Sequence, residues 1–359
     1  MEAGAPRRGS GYGAGVRRIP TLLFVLASVH LLVPGWSGTS RLPLLGAAAD
    51  MTATRVRIDP ADPSRRRLGG LTYLGGVVLR SRDSAFGGYS SIAVRRRASR
   101  TQVTLLSDGG NIVRFHIGDD WRPAGIGFAA LPGGPGQGWS KRDRDSESLT
   151  IDAATGTAWV GFEYWNAVGR YAAGADGTLL ARFEGMVRPR AMREWPDNGG
   201  PESMVRLRDG RFVVLSETAR PRVRTSAGGV GRGTGRRGLF FAGDPLTARG
   251  VGFIYVPPAG FSPVDVAELP DGRLIVLNRA FAAPFAFSNA VTVIESGAIR
   301  AGAVVRGREI ARLAAPLVHD NFEGIAVGRE GGDTVVWIVS DDNETVLERT
   351  LLLKFRLEG

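Results

Sequence analysis

Short apolar-rich runs come in pairs along most of this chain, each pair joined by a turn that contains glycine. Glu202–Leu207 and Phe212–Ser216 flank Arg208-Asp209-Gly210-Arg211, and Asp-Gly between two such runs is the strongest short-range sign of a β-hairpin. The arrangement returns with Asp271-Gly272 between Val264–Leu269 and Leu274–Leu277, with Ala153-Ala154-Thr155-Gly156, and around Glu330-Gly331-Gly332. The pairs restart at Ser90 (SSIAV), Glu147 (ESLTID), Glu202 (ESMVRL), Asp265 (DVAELP) and Glu323 (EGIAVG), separated by 57, 55, 63 and 58 residues. A near-constant period with one supersecondary unit per repeat predicts a solenoid or a propeller. Further β-like runs at Asn111–Ile117, Leu179–Glu184, Val251–Val256, Val291–Glu295 and Thr350–Leu357 bring each repeat to about four strands, the content of a propeller blade.

An open propeller would leave strand edges unpaired. The early run Leu71–Ser81 is therefore the expected partner of Leu351–Leu357 in one composite blade that closes the ring. The expectation is an all-β propeller of five four-stranded blades, or six if the N-terminal strands or the stretch 220–260 hide another. It occupies residues 51–359 as a single domain, with a Gly/Arg-rich insertion near 220–238. Two unrelated β sandwiches are the competing architecture, but they give no reason for an acid that recurs with the period.

Composition agrees: 51 glycines and 20 prolines point to many turns and few long helices. Cysteine is absent, which excludes a disulfide framework, a thiolate zinc site and a cysteine nucleophile. The formal charge of +11 would ordinarily suggest nucleic acid. The positive charge is almost all arginine, scattered through turns and outer strands, with Lys141 and Lys354 the only lysines. No binding module accompanies it, and no nucleic-acid partner is expected. Residues 1–50 differ from the rest. Arg7, Arg8, Arg17 and Arg18 precede the apolar run Ile19–Val33, and a small-residue stretch ends at Ala47-Ala48-Ala49. That is the form of an export signal, too short for the ~20 residues of a spanning helix. A periplasmic or secreted chain beginning near Asp50 is expected, with an uncleaved N-terminal anchor as the alternative membrane link.

The recurring acids carry the chemistry. In an antiparallel hairpin the start of the first strand and the end of the second lie side by side. Glu202 and Glu217, each seven residues from the Asp209-Gly210 turn, share an edge. Glu147 with Glu163, Asp265 with Asn278, Glu323 with Asp341, and Ser90 with Asp108 behave likewise. Around a pseudo-symmetry axis these edges face one mouth, where Asp108, Glu147, Glu163, Glu202, Glu217, Asp265, Glu323, Asp341 and Asp342 collect. So many carboxylates cannot all stay ionised without a counter-charge; some pKa values rise, or a cation neutralises them. Oxygen-only ligands suit Ca²⁺, or Mg²⁺, and not a structural zinc. The metal ligands expected are Asp108, Glu147, Glu163, Glu202, Glu217, Glu323 and Asp341. The alternative is ion pairing with arginines such as Arg193, Arg206 or Arg279.

Other motifs carry less. Gly233-Thr-Gly235-Arg-Arg-Gly238 matches a dinucleotide fingerprint, but it neither follows a clear strand nor opens a helix, and reads as a flexible insertion. No G-x-S-x-G elbow is present. His116 falls in an expected outer strand. His319 precedes Asp320-Asn321-Phe322-Glu323 and is the one histidine placed to act as acid or base. Trp159 and Trp337 hold equivalent second-strand positions and are expected between blades.

Several strings resemble a known family. Phe86-Gly87-Gly88-Tyr89-Ser90-Ser91-Ile92-Ala93-Val94 and Ser107-Asp108-Gly109-Gly110 are similar to the opening of the phytase-like domain of bacterial proteins described as having esterase-like activity of phytase. Asp145-Ser146-Glu147-Ser148-Leu149, Trp159-Val160-Gly161-Phe162-Glu163 with Asn166, and Asn198-Gly199-Gly200-Pro201-Glu202-Ser203 match further. Asp320-Asn321-Phe322-Glu323-Gly324-Ile325, with Ser340-Asp341-Asp342-Asn343 downstream, is the most specific. The resemblance covers about residues 68–357. It implies an exported β-propeller assigned to ester or phosphoester hydrolysis by relation to calcium-dependent propeller phytases. The resulting expectation is a monomeric, metal-assisted hydrolase of a small ester or phosphoester. The rim carboxylates would hold Ca²⁺, and Glu202 or Glu323, or else His319, would move the proton. A binding or scaffold propeller with a structural cation, and a lactonase-type propeller using Asn278 or Asn343, are the alternatives.

Overall fold

Each predicted hairpin forms the first two strands of its own antiparallel sheet. The computed structural model describes residues 42–224, 230–282, 286–295, 297–345 and 347–358, together with Ser28. Blade 1 comprises Tyr89–Arg97, Arg100–Ser107, Asn111–Ile117 and Ala124–Ala130. Blade 2 comprises Ser146–Ile151, Ala158–Phe162, Ala167–Ala172 and Arg182–Val187. In blade 3, Ser203–Arg206, Phe212–Leu215, Arg236–Phe241 and Gly250–Val256 are followed by Val304–Arg306, which pairs in parallel with the fourth strand. Blade 4 comprises Ser262–Glu268, Leu274–Ala282, Ala286–Ile294 and Arg308–Leu313. Blade 5 joins the two ends of the chain: Phe322–Glu330, Asp333–Ser340 and Leu351–Leu357 pair onward to Leu71–Arg80 and Thr52–Arg55.

The first strands of the five blades neighbour one another in order, and that of blade 5 lies against that of blade 1. The expected ring is therefore closed, with five blades. The stretch 220–260 supplies no sixth blade. It contains a small hairpin, Arg222–Arg224 with Val230–Arg232, and then the third and fourth strands of blade 3. The turns are the predicted ones: Gly210 and Gly272 adopt φ 89° and 87°, conformations open to glycine at no steric cost, and Asp209 and Asp271 accept the N–H of Arg211 and Arg273.

Five buried clusters fill the five seams between neighbouring blades. The alternation of each strand explains this, because a blade packs both of its faces. Trp159 meets Phe212 across the seam between blades 2 and 3, ring centroids 4.9 Å apart. Trp337 meets Trp121 at 5.8 Å in the seam between blades 5 and 1. Stabilisation is thus shared among seams, and the mouth is free to hold polar groups. Apart from Ser28, the run Ile19–Val33 lies outside the described residues. Among the described residues no helix is long and apolar enough to cross a membrane.

Candidate functional site

Two positions of every hairpin are delivered to one end of the ring. The first is a bulge. Register shifts fall between Tyr89 and Ser91, Ser146 and Ser148, Pro263 and Asp265, and Phe322 and Gly324, so Ser90, Glu147, Val264 and Glu323 are extra, unpaired residues. A bulge bends the strand and re-aims the side chain it carries. In blade 3 the corresponding residue is Glu202, immediately before the strand that starts at Ser203. The second position follows Ser107, Phe162, Ser216, Asn278 and Ser340; it is held by Asp108, Glu163, Glu217, Arg279 and Asp341. All seven carboxylates expected as ligands occupy these ten places. Ser90, Val264 and Arg279 fill the other three.

Asp265 is not among them. The sequence pattern aligned it with Glu147, but the bulge puts Val264 there and moves Asp265 one residue on, to the position of Ser91 and Ser148. In a strand, one residue of slip sends a side chain to the opposite face. Those two serines reach the neighbouring blade, Ser91 donating to the Glu147 carbonyl at 2.9 Å and Ser148 to that of Pro201 at 2.6 Å. Asp265 does the same with a carboxylate: its oxygens accept the N–H of Val266 at 2.8 Å and, across the seam, that of Ile325 at 2.7 Å. Asp265→Ala is expected to lower stability by about 1–3 kcal/mol by stranding two buried N–H groups, read as a lower urea midpoint. An unchanged midpoint would contradict the linking role. Asn278, its expected partner at the mouth, is buried and bonded to Tyr255, Val276, Ala290 and Thr292.

The mouth has three sectors. In the first, Arg279 from blade 4 contacts Glu323 of blade 5 and Glu217 of blade 3, the latter at 2.9 Å, and donates to Asn321 at 2.6 Å. Burial disfavours its charge, but Glu217 and Glu202 outweigh that and hold it firmly protonated. Of the three arginines named from the sequence, only Arg279 pairs with a mouth acid. Arg206 pairs with Asp152 at 3.1 Å, and Arg193 has no ion pair among the described residues. In the second sector Lys141 lies 2.6 Å from Asp108. Nearby Asp341 is pushed up to about 8, by burial first and then by the charge of Asp108. Asp342 accepts from Gly88 N–H and the Thr350 hydroxyl, and Asn343 binds Glu348.

The third sector has acids only. Carboxylate oxygens of Asp145, Glu147 and Glu163 lie within 4.8 Å of one another, and the charge of Glu163 bears on both Asp145 and Glu202. Among the described residues none of these four has a cation within ion-pair distance. Asp145 is pushed up to about 7, chiefly by burial and then by Glu163. Glu147 and Glu202 are driven well above the usual carboxylate range, again by burial first and then by the neighbouring acids. Glu163 also accepts the N–H of Gly199. Such a set could hold a hard cation: it is a cluster of oxygen donors with no basic partner at ion-pair distance among the described residues.

Hairpin alignment missed Asp145 and Lys141. They bracket the one-turn helix Lys141–Arg144, with Asp145 at its left-handed end (φ 30°), outside the repeating unit. His319 was placed at the site by adjacency, yet its Nδ1 bonds the Leu317 carbonyl at 2.7 Å. Among the described residues no hydrogen bond or ion pair joins its ring to the carboxylates.

The phytase-like family, described as "Esterase-like activity of phytase", matches residues 84–344, more than half of the chain. No curated protein matches. Similar solved structures include an exo-β-1,3-galactanase from Phanerochaete chrysosporium with β-1,3-galactotriose, 9% identical over 79% of this chain and 64% of the galactanase, TM-score 0.46. Another is the PQQ-bound aldose sugar dehydrogenase of Streptomyces coelicolor, 11% identical over 87% of this chain and 99% of the enzyme, TM-score 0.39. The chain spans less than two thirds of the galactanase's length.

Proposed function

Because the chain belongs to the phytase-like family, we propose that it is a divalent-cation-dependent hydrolase of esters, phosphoesters in particular, acting at the carboxylate mouth. The observation that carries this reading is the all-acid sector, Asp145, Glu147, Glu163 and Glu202, which has no ion-pair partner among the described residues. Ca²⁺ or Mg²⁺ held there would polarise the ester and make a bound water more acidic. Glu202 feels the charge of Glu163 but belongs to a different blade, and we assign it to take the proton from that water. Glu323 is ion-paired with Arg279 and is the second candidate base. Lys141 and Arg279, on either side of the acids, supply the positive charge that would hold an anionic phosphoester against the mouth. The basic and apolar N-terminal run is the ground for placing this activity outside the cytoplasm, where weak calcium sites can fill.

Hydrolysis of p-nitrophenyl phosphate and p-nitrophenyl acetate, followed with and without chelator, tests the proposal. Activity is expected to vanish on chelation, to return with Ca²⁺, and to be lost in Glu202→Gln with the folded circular-dichroism spectrum retained. Turnover indifferent to both treatments ends this reading. A cation that raises the melting temperature with no ester turned over would assign the mouth to a structural ion in a binding propeller.

A further inference from the structure

The flank between blades 2 and 3 carries two clefts of about 510 and 340 Å³, with no mouth acid in the walls of either. Glu194 and Arg237 stand in the walls of both, so the clefts form one furrow. Arg188, Arg190 and Arg249 line the first, and Arg220, Arg222 and Arg232 the second. All six are exposed, and none has an ion pair among the described residues. Elsewhere on the blades Arg170, Arg211, Arg273 and Arg312 each pair with a nearby acid, and arginines without an ion pair among the described residues, such as Arg95, Arg97 and Arg329, line neither cleft. The furrow has one acid in its walls, Glu194, which lies 3.5 Å from Arg237.

From this concentration of unpaired guanidiniums in a concave furrow we infer that it is a binding site for an anion carrying several phosphate groups, separate from the carboxylate mouth and independent of whether the mouth is hydrolytic. Six like charges held together are unfavourable until an anion joins them, and the planar guanidinium fork matches phosphate oxygens two at a time. Cleft volumes of this size suit a small ligand or a segment of a chain. The walls hold no aromatic side chain, so they lack the stacking platform by which single-stranded nucleic acid is gripped. Blade strands here run six or seven residues, about 20 Å. Six arginines in the walls of one furrow require a ligand of high charge density; a uronic-acid chain, with one carboxylate per ring, is too dilute. A concave furrow also suits a ligand that enters it and not a flat bilayer.

The experiment titrates the full chain with inorganic tripolyphosphate by calorimetry, at physiological ionic strength and with chelator present so that no metal bridges. Binding is expected. Arg188→Ser, Arg190→Ser and Arg249→Ser together should weaken it by at least about tenfold, equivalent to ~1.4 kcal/mol. Removing the same charge elsewhere, with Arg95→Ser, Arg97→Ser and Arg329→Ser, should leave it unchanged. The substituted side chains are exposed, and if the furrow variant has a lowered melting temperature, Arg249→Ser alone gives the reading. Equal losses in the two triple variants would reduce the effect to diffuse charge and overturn the site, as would no binding by the parent chain. Polygalacturonate binding as tightly as tripolyphosphate would overturn the phosphate assignment.

Discussion

Replacing Arg279 by methionine is expected to cost the cation-free protein about 3 kcal/mol, because taking one partner from a buried ion pair leaves the other charge without compensation. Arg279 serves two such partners, Glu217 and Glu323, and its side chain is 21% exposed against their 18% and 12%. That partial exposure sets the estimate at the lower end of the ~3–5 kcal/mol found for buried pairs. Methionine keeps most of the aliphatic bulk, so the loss is electrostatic rather than a cavity effect. Urea unfolding with chelator at neutral pH gives the measurement, with the midpoint lowered and the slope unchanged. Adding Glu217→Gln and Glu323→Gln to the arginine variant should recover much of the loss, since the stranded charges disappear with it, and the cycle isolates the coupling. A loss under about 1 kcal/mol would place the triad among solvated surface pairs.

The part of this fold legible in the sequence was the part set by local chemistry. Asp-Gly turns, alternating runs and a constant period are sufficient for hairpins, blades and closure, because each depends on neighbours within a few tens of residues. The bulges were not legible. Val264 and Val266 flank Asp265 in an alternation that reads as an ordinary strand, and an extra unpaired residue leaves no mark on it until the partner strand is in place. The same limit applied to Arg279: three arginines stood near acids in the pattern, and only the ring decides which one reaches two other blades. Gly238 illustrates a decoy. As the last glycine of a dinucleotide-like string it suggested a flexible loop, yet it lies in the third strand of blade 3, where a Cβ would come within 2.4 Å of the Phe253 ring. Close approach of an aromatic is reason enough for glycine there.

The largest pH effect should come from the mouth and should run opposite to the usual behaviour of acidic groups. In the cation-free fold Asp145 and Asp341 are raised to about 7 and about 8, and Glu147, Glu202 and Asp265 are raised as well. In the unfolded chain all of them ionise near pH 4. Between those limits the fold holds more protons than the unfolded chain, so stability is greatest at the acid end and falls as pH rises toward 8. Carboxylates lowered by their own arginines, such as Asp209 and Asp271, act in the other direction. Their stabilisation is present above the unfolded value and is lost only below about pH 4, outside this window. A tenfold difference in proton affinity between fold and unfolded chain corresponds to about 1.4 kcal/mol, so a fall of several kcal/mol across pH 4–8 is expected. Ca²⁺ should abolish the slope or reverse it, since the ion binds the deprotonated set and binds it better as pH rises. Glu202→Gln supplies the internal control: it should raise the melting temperature of the cation-free protein at pH 8 by removing one reluctant charge, and at the same pH reduce the stabilisation that Ca²⁺ confers. Melting curves from pH 4 to 8, with chelator and with Ca²⁺, read all of this. Stability that climbs with pH in chelator would mean that the four acids at the blade 2 and blade 3 rim are solvated and ionised, and the case for a cation among them would go with it.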